Sequence, residues 1–330
     1  MRGHDKLAVV GVGNWGKNLL RNFCALLGEE RVIACDTDSK RLQELRAQYS
    51  KLQTASDFSA LLENELIGAL VIATPVVTHY ELARQALLAG RHVFVEKPIA
   101  LRSVEARELI DLAEKKKCVL MVDHLLEYHP AIEQLKKIVQ NSDLGDIFCL
   151  YSQRLNLGVI RTEENVLWSL TPHDISVMLY LLEREPVRVQ AHGASYLQKD
   201  IHDMVFITLE FPKKILGHIH ASWLDPQKIR KLVVIGSKKM AVFDDTSSTK
   251  LTVFNKYAAR SEGRFLPRDE GASIISVENR EPLQVACEHF LRCIERGERP
   301  RSDGHDGLRV LRVLEAAQRS LDSQGMALEL

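Results

Sequence analysis

The sequence predicts an α/β doubly wound parallel sheet, followed by an α+β domain built on an open-faced, mostly antiparallel sheet. Three observations lead there. Short apolar runs alternate with helical periodicity as far as Val122, a glycine-rich turn joins the first run to the first helix, and beyond Val122 the chain changes to long alternating runs. At 330 residues the chain exceeds one comfortable core, so the change of rhythm is read as a boundary, giving domains 1–123 and 124–330.

Leu7 to Val10 is the first strand, and the helix after it runs through Leu19, Leu20 and Phe23 to Gly28. Arg31 to Cys35 is a second strand ending at Asp36, and Lys40 to Tyr49 is helical. Asp57 to Glu65 is a short helix with Ser56 as its cap. Ala69 to Ala73 is a third strand, broken by Thr74-Pro75, and the helix Thr78 to Ala89 stops at Gly90. His92 to Val95 is a fourth strand, Ser103 to Lys116 a helix, and Cys118 to Val122 a fifth strand. Strands apolar throughout are those of a parallel sheet covered on both faces. Gly11, Asp36, Thr74 and Glu96 then share its carboxyl edge, where such folds bind ligands.

In the second half, Pro130 to Gln140 is a helix and Asp146 opens a long strand. Runs at 187–194, 203–211, 215–223, 232–235, 240–244 and 250–255 read as a meander with one covered face. Arg260 to Ser273, polar and glycine-containing, reads as a long loop, and helices near 283–296 and 308–323 follow. The uncovered sheet face is expected to become a subunit interface, giving a homodimer or homotetramer.

Composition narrows the function. Lys plus Arg equals Asp plus Glu at 44 each, so no basic field marks a nucleic-acid partner. The six cysteines are scattered without a C-x-x-C pair, which fits a reducing compartment. Residues 1–6 carry no signal-peptide pattern, and the longest apolar stretch, 67–77, is too short to span a bilayer. A cytoplasmic protein with no membrane partner is expected. His218 and His220 share a strand face but lack further ligands at metal spacing, so they read as packing or interface residues, and no metal is expected. Cys287 and Cys293 read as core.

The chemistry starts at Gly11-Val12-Gly13-Asn14-Trp15-Gly16, a G-x-G-x-x-G turn between strand and helix with Asp36 twenty positions beyond Gly16. The glycines permit a tight turn, close approach of backbone to a pyrophosphate, and close packing of helix on strand. Asp36 suits the adenosine ribose and repels a 2′-phosphate, so the cofactor is NAD on a Rossmann domain; Arg41 nearby bears on that preference. Thr171-Pro172-His173-Asp174 reads as a helix start capped by Thr171. His173 in the first turn would be kept neutral by the helix dipole, as a general base requires. Alternation on the strand through Arg154 puts Arg154 and Asn156 on one face, with Arg161 and Asn165 in the following loop, a set suited to a sugar carrying phosphate.

The run Gly90-Arg91-His92-Val93-Phe94-Val95-Glu96-Lys97-Pro98, together with Ile72-Ala73-Thr74-Pro75 and His79, resembles the glucose-fructose oxidoreductase, inositol dehydrogenase and rhizopine-catabolism (Gfo/Idh/MocA) oxidoreductases across nearly the whole chain. The resemblance implies that Thr74, Pro75, His79 and Glu96 lie along the cofactor. It also implies that Lys97 sits beside the nicotinamide and that His173 is catalytic. Where the family often has Asp four residues before that histidine, this chain has Ser169. The segment from Arg154 through Trp168, Ser169 and His173 resembles the branch that oxidises C3 of UDP-linked N-acetylated sugars, as does 221–231, whose residues receive no role. Lys97, Arg154, Asn156, Arg161, Trp168, Ser169 and His173 are the expected substrate contacts. The alternatives are an inositol or free-sugar dehydrogenase, an oxidoreductase recycling tightly held cofactor, and a non-catalytic NAD sensor.

Overall fold

A computed structural model describes residues 6–330; residues 1–5, where the missing signal pattern was read, lie outside the described residues. The chain divides into two compact units, 1–128 with 281–311, and 129–280 with 312–330. The division differs from a single cut after residue 123, because a helix far along the chain returns to the first unit.

In the first unit the elements are β1 (Lys6–Val10), α1 (Gly16–Leu27), β2 (Val32–Cys35), α2 (Ser39–Gln48), β3 (Gln53–Ala55), α3 (Phe58–Glu63), β4 (Ile67–Ile72), α4 (His79–Leu88), β5 (His92–Val95), α5 (Ser103–Lys116) and β6 (Leu120–Val122). The strands form one parallel sheet in the order β3-β2-β1-β4-β5-β6, with the order reversing beside β1. Five strands were legible; β3 is three half-exposed residues and carries no apolar run. The cap of α3 is Asp57, not Ser56: its side chain accepts from Ser59 N at 2.9 Å. Helix α9 (Pro282–Arg296) joins this unit by burying Leu283, Ala286, Cys287, Phe290 and Cys293. Phe290 meets Phe23 and Phe94 edge-on at centroid distances of 6.4 and 5.5 Å, geometry that favours aromatic pairs.

A buried ionic cluster sits where β6 leads towards α6. His124 Nδ1 lies 2.5 Å from Asp306 Oδ2 and 3.4 Å from Glu127 Oε1, and Arg309 Nη2 lies 2.5 Å from Asp306 Oδ1. The His–Asp contact is closer than two ligands of one metal ion stand to each other, and two cations already face Asp306. Burial, then the Asp306 charge, pushes the Glu127 carboxyl up to about 8. Burial alone would lower His124, but Asp306 and Glu127 override it and raise the imidazole to about 9. Both folded-state values exceed their unfolded ones, so both contributions are complete at low pH and are lost as pH rises through the folded values. This cluster therefore contributes a loss of stability between about pH 5 and 9, opposed at the lower end by His79, His218, His220 and His289, whose lowered values favour folding as pH rises. Glu127→Gln, which keeps the neutral form, should flatten the Glu127 part of that loss and be the more stable protein above about pH 8. Parallel melting curves for the two proteins would refute this assignment.

The second unit holds α6 (Pro130–Gln140), β7 (Ile147–Leu155), α7 (Val166–Leu170), α8 (Pro172–Leu182), β8 (Arg188–Ala194), β9 (Met204–Phe211), β10 (Ile215–Ser222), β11 (Ile229–Gly236), β12 (Met240–Asp244), β13 (Leu251–Ser261) and β14 (Arg264–Ile274). Helix α10 (Gly304–Asp322) ends in this unit, and β15 (Leu328–Glu329) pairs with β8. The sheet order is β14-β13-β12-β11-β7-β10-β9-β8-β15, antiparallel except where β10 pairs with β7. The segment read as a loop, 260–273, is instead most of a hairpin arm of β13 and β14. Every residue of β14 is exposed, so neither face needed apolar residues and the alternation that marks a strand is missing. His218 and His220 lie on the open face, stacked against Phe206 at 6.3 and 4.2 Å.

Candidate active site

The glycine turn does what its spacing demands. Gly11 has φ +83°, and a Cβ there would lie 2.8 Å from Ala73 O. A Cβ on Gly16 would lie 1.8 Å from Gly11 O, so only glycine lets α1 start against the turn. Around Gly13 the protein leaves space: a Cβ would meet only Arg41 Nη1, at 3.6 Å. The backbone at Gly13 is thus open to a ligand, as a pyrophosphate requires.

Asp36 closes the turn from the end of β2. Its carboxylate accepts from Val12 N and Asp38 N, each at 2.9 Å, and Arg41 lies 3.4 Å away. Arg41 is also paired with Asp38 at 3.2 Å, so its charge is engaged by carboxylates. The open turn at Gly13 and the acid at the end of β2 fit NAD, with backbone for the pyrophosphate and Asp36 lone pairs for the ribose.

Thr74 and Pro75 follow β4 at the same edge. The Thr74 and Thr78 hydroxyls lie 2.7 Å apart. The His79 ring is 1% exposed and spans Pro98 O and Thr74 O, each at 2.8 Å. Both carbonyls could be satisfied together only by the imidazolium, whereas burial lowers the pKa of the ring. What the structure gives His79 is the tying of the segment after β4 to the one after β5; the Lys97–Pro98 peptide there is cis.

Glu96 and Lys97 end β5, half-buried, beside Asp123 at the end of β6. Asp123 is 1% exposed and accepts from the Trp15 indole at 3.3 Å, linking the glycine turn to β6. Glu96 keeps some surface, but its Oε1, like Asp123 Oδ1, is sealed from solvent. Burial, reinforced by the Asp123 charge, drives the Glu96 carboxyl well above the usual range. Burial also raises Asp123. Together the pair holds a proton that two isolated carboxylates would have lost. Asp123 was not among the expected site residues, although it follows the fifth strand at the same edge as Gly11, Asp36, Thr74 and Glu96.

In the second unit the helix start at His173 is built differently from the expectation. Asn165 caps α7, its side chain accepting from Trp168 N, and α7 runs almost directly into α8. Thr171 has helical φ and ψ and makes no side-chain cap; its hydroxyl donates back to Leu167 O at 2.7 Å. The carboxyl end of α7 thus abuts the start of α8, and the dipole argument for a neutral His173 loses force. Ser169 is buried in α7, four residues before the half-buried His173.

The other expected substrate contacts separate into two kinds. Arg154 is taken up by Asp174, at 2.6 and 3.4 Å, with both side chains nearly buried. The Trp168 indole and Asn165 both donate to Gln318 Oε1, at 3.0 and 2.9 Å. Asn156 accepts from Arg230, which had no assigned role. Arg161 remains exposed, 3.8 Å from Glu164. Asp174, Arg230 and Gln318 were missed because their partners lie 20 to 153 residues away.

Comparison with known proteins agrees with this geometry. Residues 6–124 match the oxidoreductase family with an NAD-binding Rossmann fold, and residues 132–242 match the GFO/IDH/MocA C-terminal domain. A UDP-N-acetylglucosamine 3-dehydrogenase of Acidithiobacillus ferrooxidans is 28% identical over 309 residues, 93% of this chain and 94% of that one. A solved structure of that enzyme superposes with a TM-score of 0.85 at 26% identity, covering 97% of this chain and 98% of the other. A myo-inositol 2-dehydrogenase of Thermotoga maritima is 23% identical, covering 97% of each chain. No helix among the described residues is long and apolar enough to cross a membrane. With an open glycine turn, an acid ending β2, and matches to both parts of the family, this chain belongs to the GFO/IDH/MocA family of NAD-dependent oxidoreductases.

Proposed function

We propose that the protein oxidises a ring hydroxyl of a sugar, C3 of a UDP-linked N-acetylhexosamine or its uronic acid, with Lys97 and His173 handling the proton. The observation that carries this reading is the full-length similarity to a UDP-N-acetylglucosamine 3-dehydrogenase. It is joined by a lysine at the carboxyl edge of the parallel sheet and a histidine in the first turn of α8.

Gly11, Gly13 and Gly16 would hold the pyrophosphate and Asp36 the ribose, with Asn14, Trp15, Thr74, Pro75 and Glu96 completing the surroundings. Bound NAD would supply the hydride acceptor for the substrate carbon. The protein's own part is to orient the carbinol and take the hydroxyl proton. Lys97 donates a hydrogen bond to the reacting oxygen, and His173 accepts its proton as the C–H bond breaks. Ser169, in place of a carboxylate, adds a hydroxyl and no charge.

A panel of UDP-N-acetylglucosamine, its uronic acid, inositol and free aldoses, followed at the reduced-nicotinamide absorbance, tests the reading. Turnover of the nucleotide sugars is expected. Turnover of inositol or free sugars alone would replace it with the polyol or free-sugar alternative, and NAD binding without turnover would point to a sensor.

A further inference from the structure

Arg230 stands directly opposite Arg154 across the β11–β7 pair. Like charges in that position repel, and each guanidinium would ordinarily carry its own counter-ion. Only one has it. Asp174 is spent on Arg154 with two hydrogen bonds, and no carboxylate pairs with Arg230 among the described residues.

The Arg230 guanidinium is instead fixed by neutral acceptors. It donates to Leu155 O and Ile229 O, each at 2.8 Å, and to Asn156 Oδ1. The side chain is half-buried, and burial followed by the Arg154 charge works against its protonation. Several arginines elsewhere are met by acids, Arg21 by Glu281, Arg84 by Glu108 and Arg312 by Glu185, whereas Arg91, like Arg230, donates to backbone carbonyls. Arg230 is thus a cation held in one orientation by neutral acceptors, with Asp174 and Asp245 near enough to act on its charge but engaged by Arg154, His129 and Lys250. Its Nε makes no hydrogen bond among the described residues and is not sealed from solvent, and its charge is within reach of Asp174, the residue after the proposed base. A planar fork already ordered by the protein binds an oxyanion with little further entropy cost.

We propose that Arg230 binds an anionic group of the substrate, a phosphate or a sugar carboxylate, and thereby sets preference for charged over neutral sugars. This rests on the reading above that the substrate carries such a group. It moves the role expected of Arg154, which Asp174 neutralises, to the arginine across the strand pair. Arg154 becomes the residue that fixes Asp174.

The test measures binding of UDP and of glucuronate separately, by calorimetry, to the wild type, Arg230→Gln and Arg230→Lys, alongside KM and kcat. At least one probe should bind the wild type and weaken about 10- to 100-fold in Arg230→Gln, the size of a hydrogen bond to a charged group. NAD affinity should hold. Loss confined to UDP identifies phosphate as the partner, and loss confined to glucuronate identifies a carboxylate. Arg230→Lys keeps the charge but not the fork and should bind with intermediate affinity; it also serves if the glutamine variant does not fold. The proposal is overturned if neither probe binds the wild type, or if both variants bind as it does. The two readings separate cleanly. Nucleotide-sugar turnover with an unchanged KM in Arg230→Gln removes Arg230 alone. Loss of probe binding in a protein that oxidises only neutral sugars keeps the anion site and removes the substrate.

Discussion

Replacing Lys97 or His173 with alanine is expected to lower turnover by about 100- to 10,000-fold, the range general acid–base groups contribute. NAD affinity should change little, because neither residue belongs to the glycine turn or to the end of β2. The pattern separates catalysis from binding. A variant with wild-type turnover would strike its residue from the mechanism, and one that loses NAD affinity as well would mark a cofactor contact instead. The Glu96–Asp123 pair adds a contrast. Because the proton of that pair sits on Glu96 and Asp123 accepts it, Glu96→Gln keeps the hydrogen-bonding pattern and should be tolerated far better than Lys97→Ala.

Gly13→Val is expected to abolish measurable NAD binding while leaving the melting temperature within a few degrees of wild type. The reason is geometric. A Cβ on Gly13 meets only Arg41, whereas the added bulk lies where backbone must approach the pyrophosphate. Gly16→Ala supplies the opposite case. Its Cβ would lie 1.8 Å from Gly11 O, so stability and binding should fall together. Calorimetric titration with NAD and thermal melts on both variants check this. Retained NAD binding in Gly13→Val would mean that the cofactor does not approach the turn there.

The parallel sheet was legible because β4 and β5 must be apolar on both faces and their boundaries fall at glycine, proline and charged residues. The hairpin arm of β13 and β14 was not, since an exposed ribbon imposes no alternation. The glycine turn and Asp36 could be read from spacing, because their geometry depends on neighbours close in the chain. Arg154 shows the limit. Its residue type and strand face were read from the sequence, but Asp174 claims its charge from another element. Arg230 carried no local signal at all; its character comes from the register that sets it against Arg154. Likewise the helix dipole at His173 depends on α7 ending just ahead of α8, which a single capping pattern does not reveal.

Hydride removal from a defined ring carbon can be followed with UDP-N-acetylglucosamine carrying deuterium at C3. The deuterium is expected on the reduced nicotinamide, with the hydride-transfer step slowed. Reduced nicotinamide free of deuterium, or oxidation of inositol and free sugars with no reaction on the nucleotide sugar, would contradict hydride removal from that carbon.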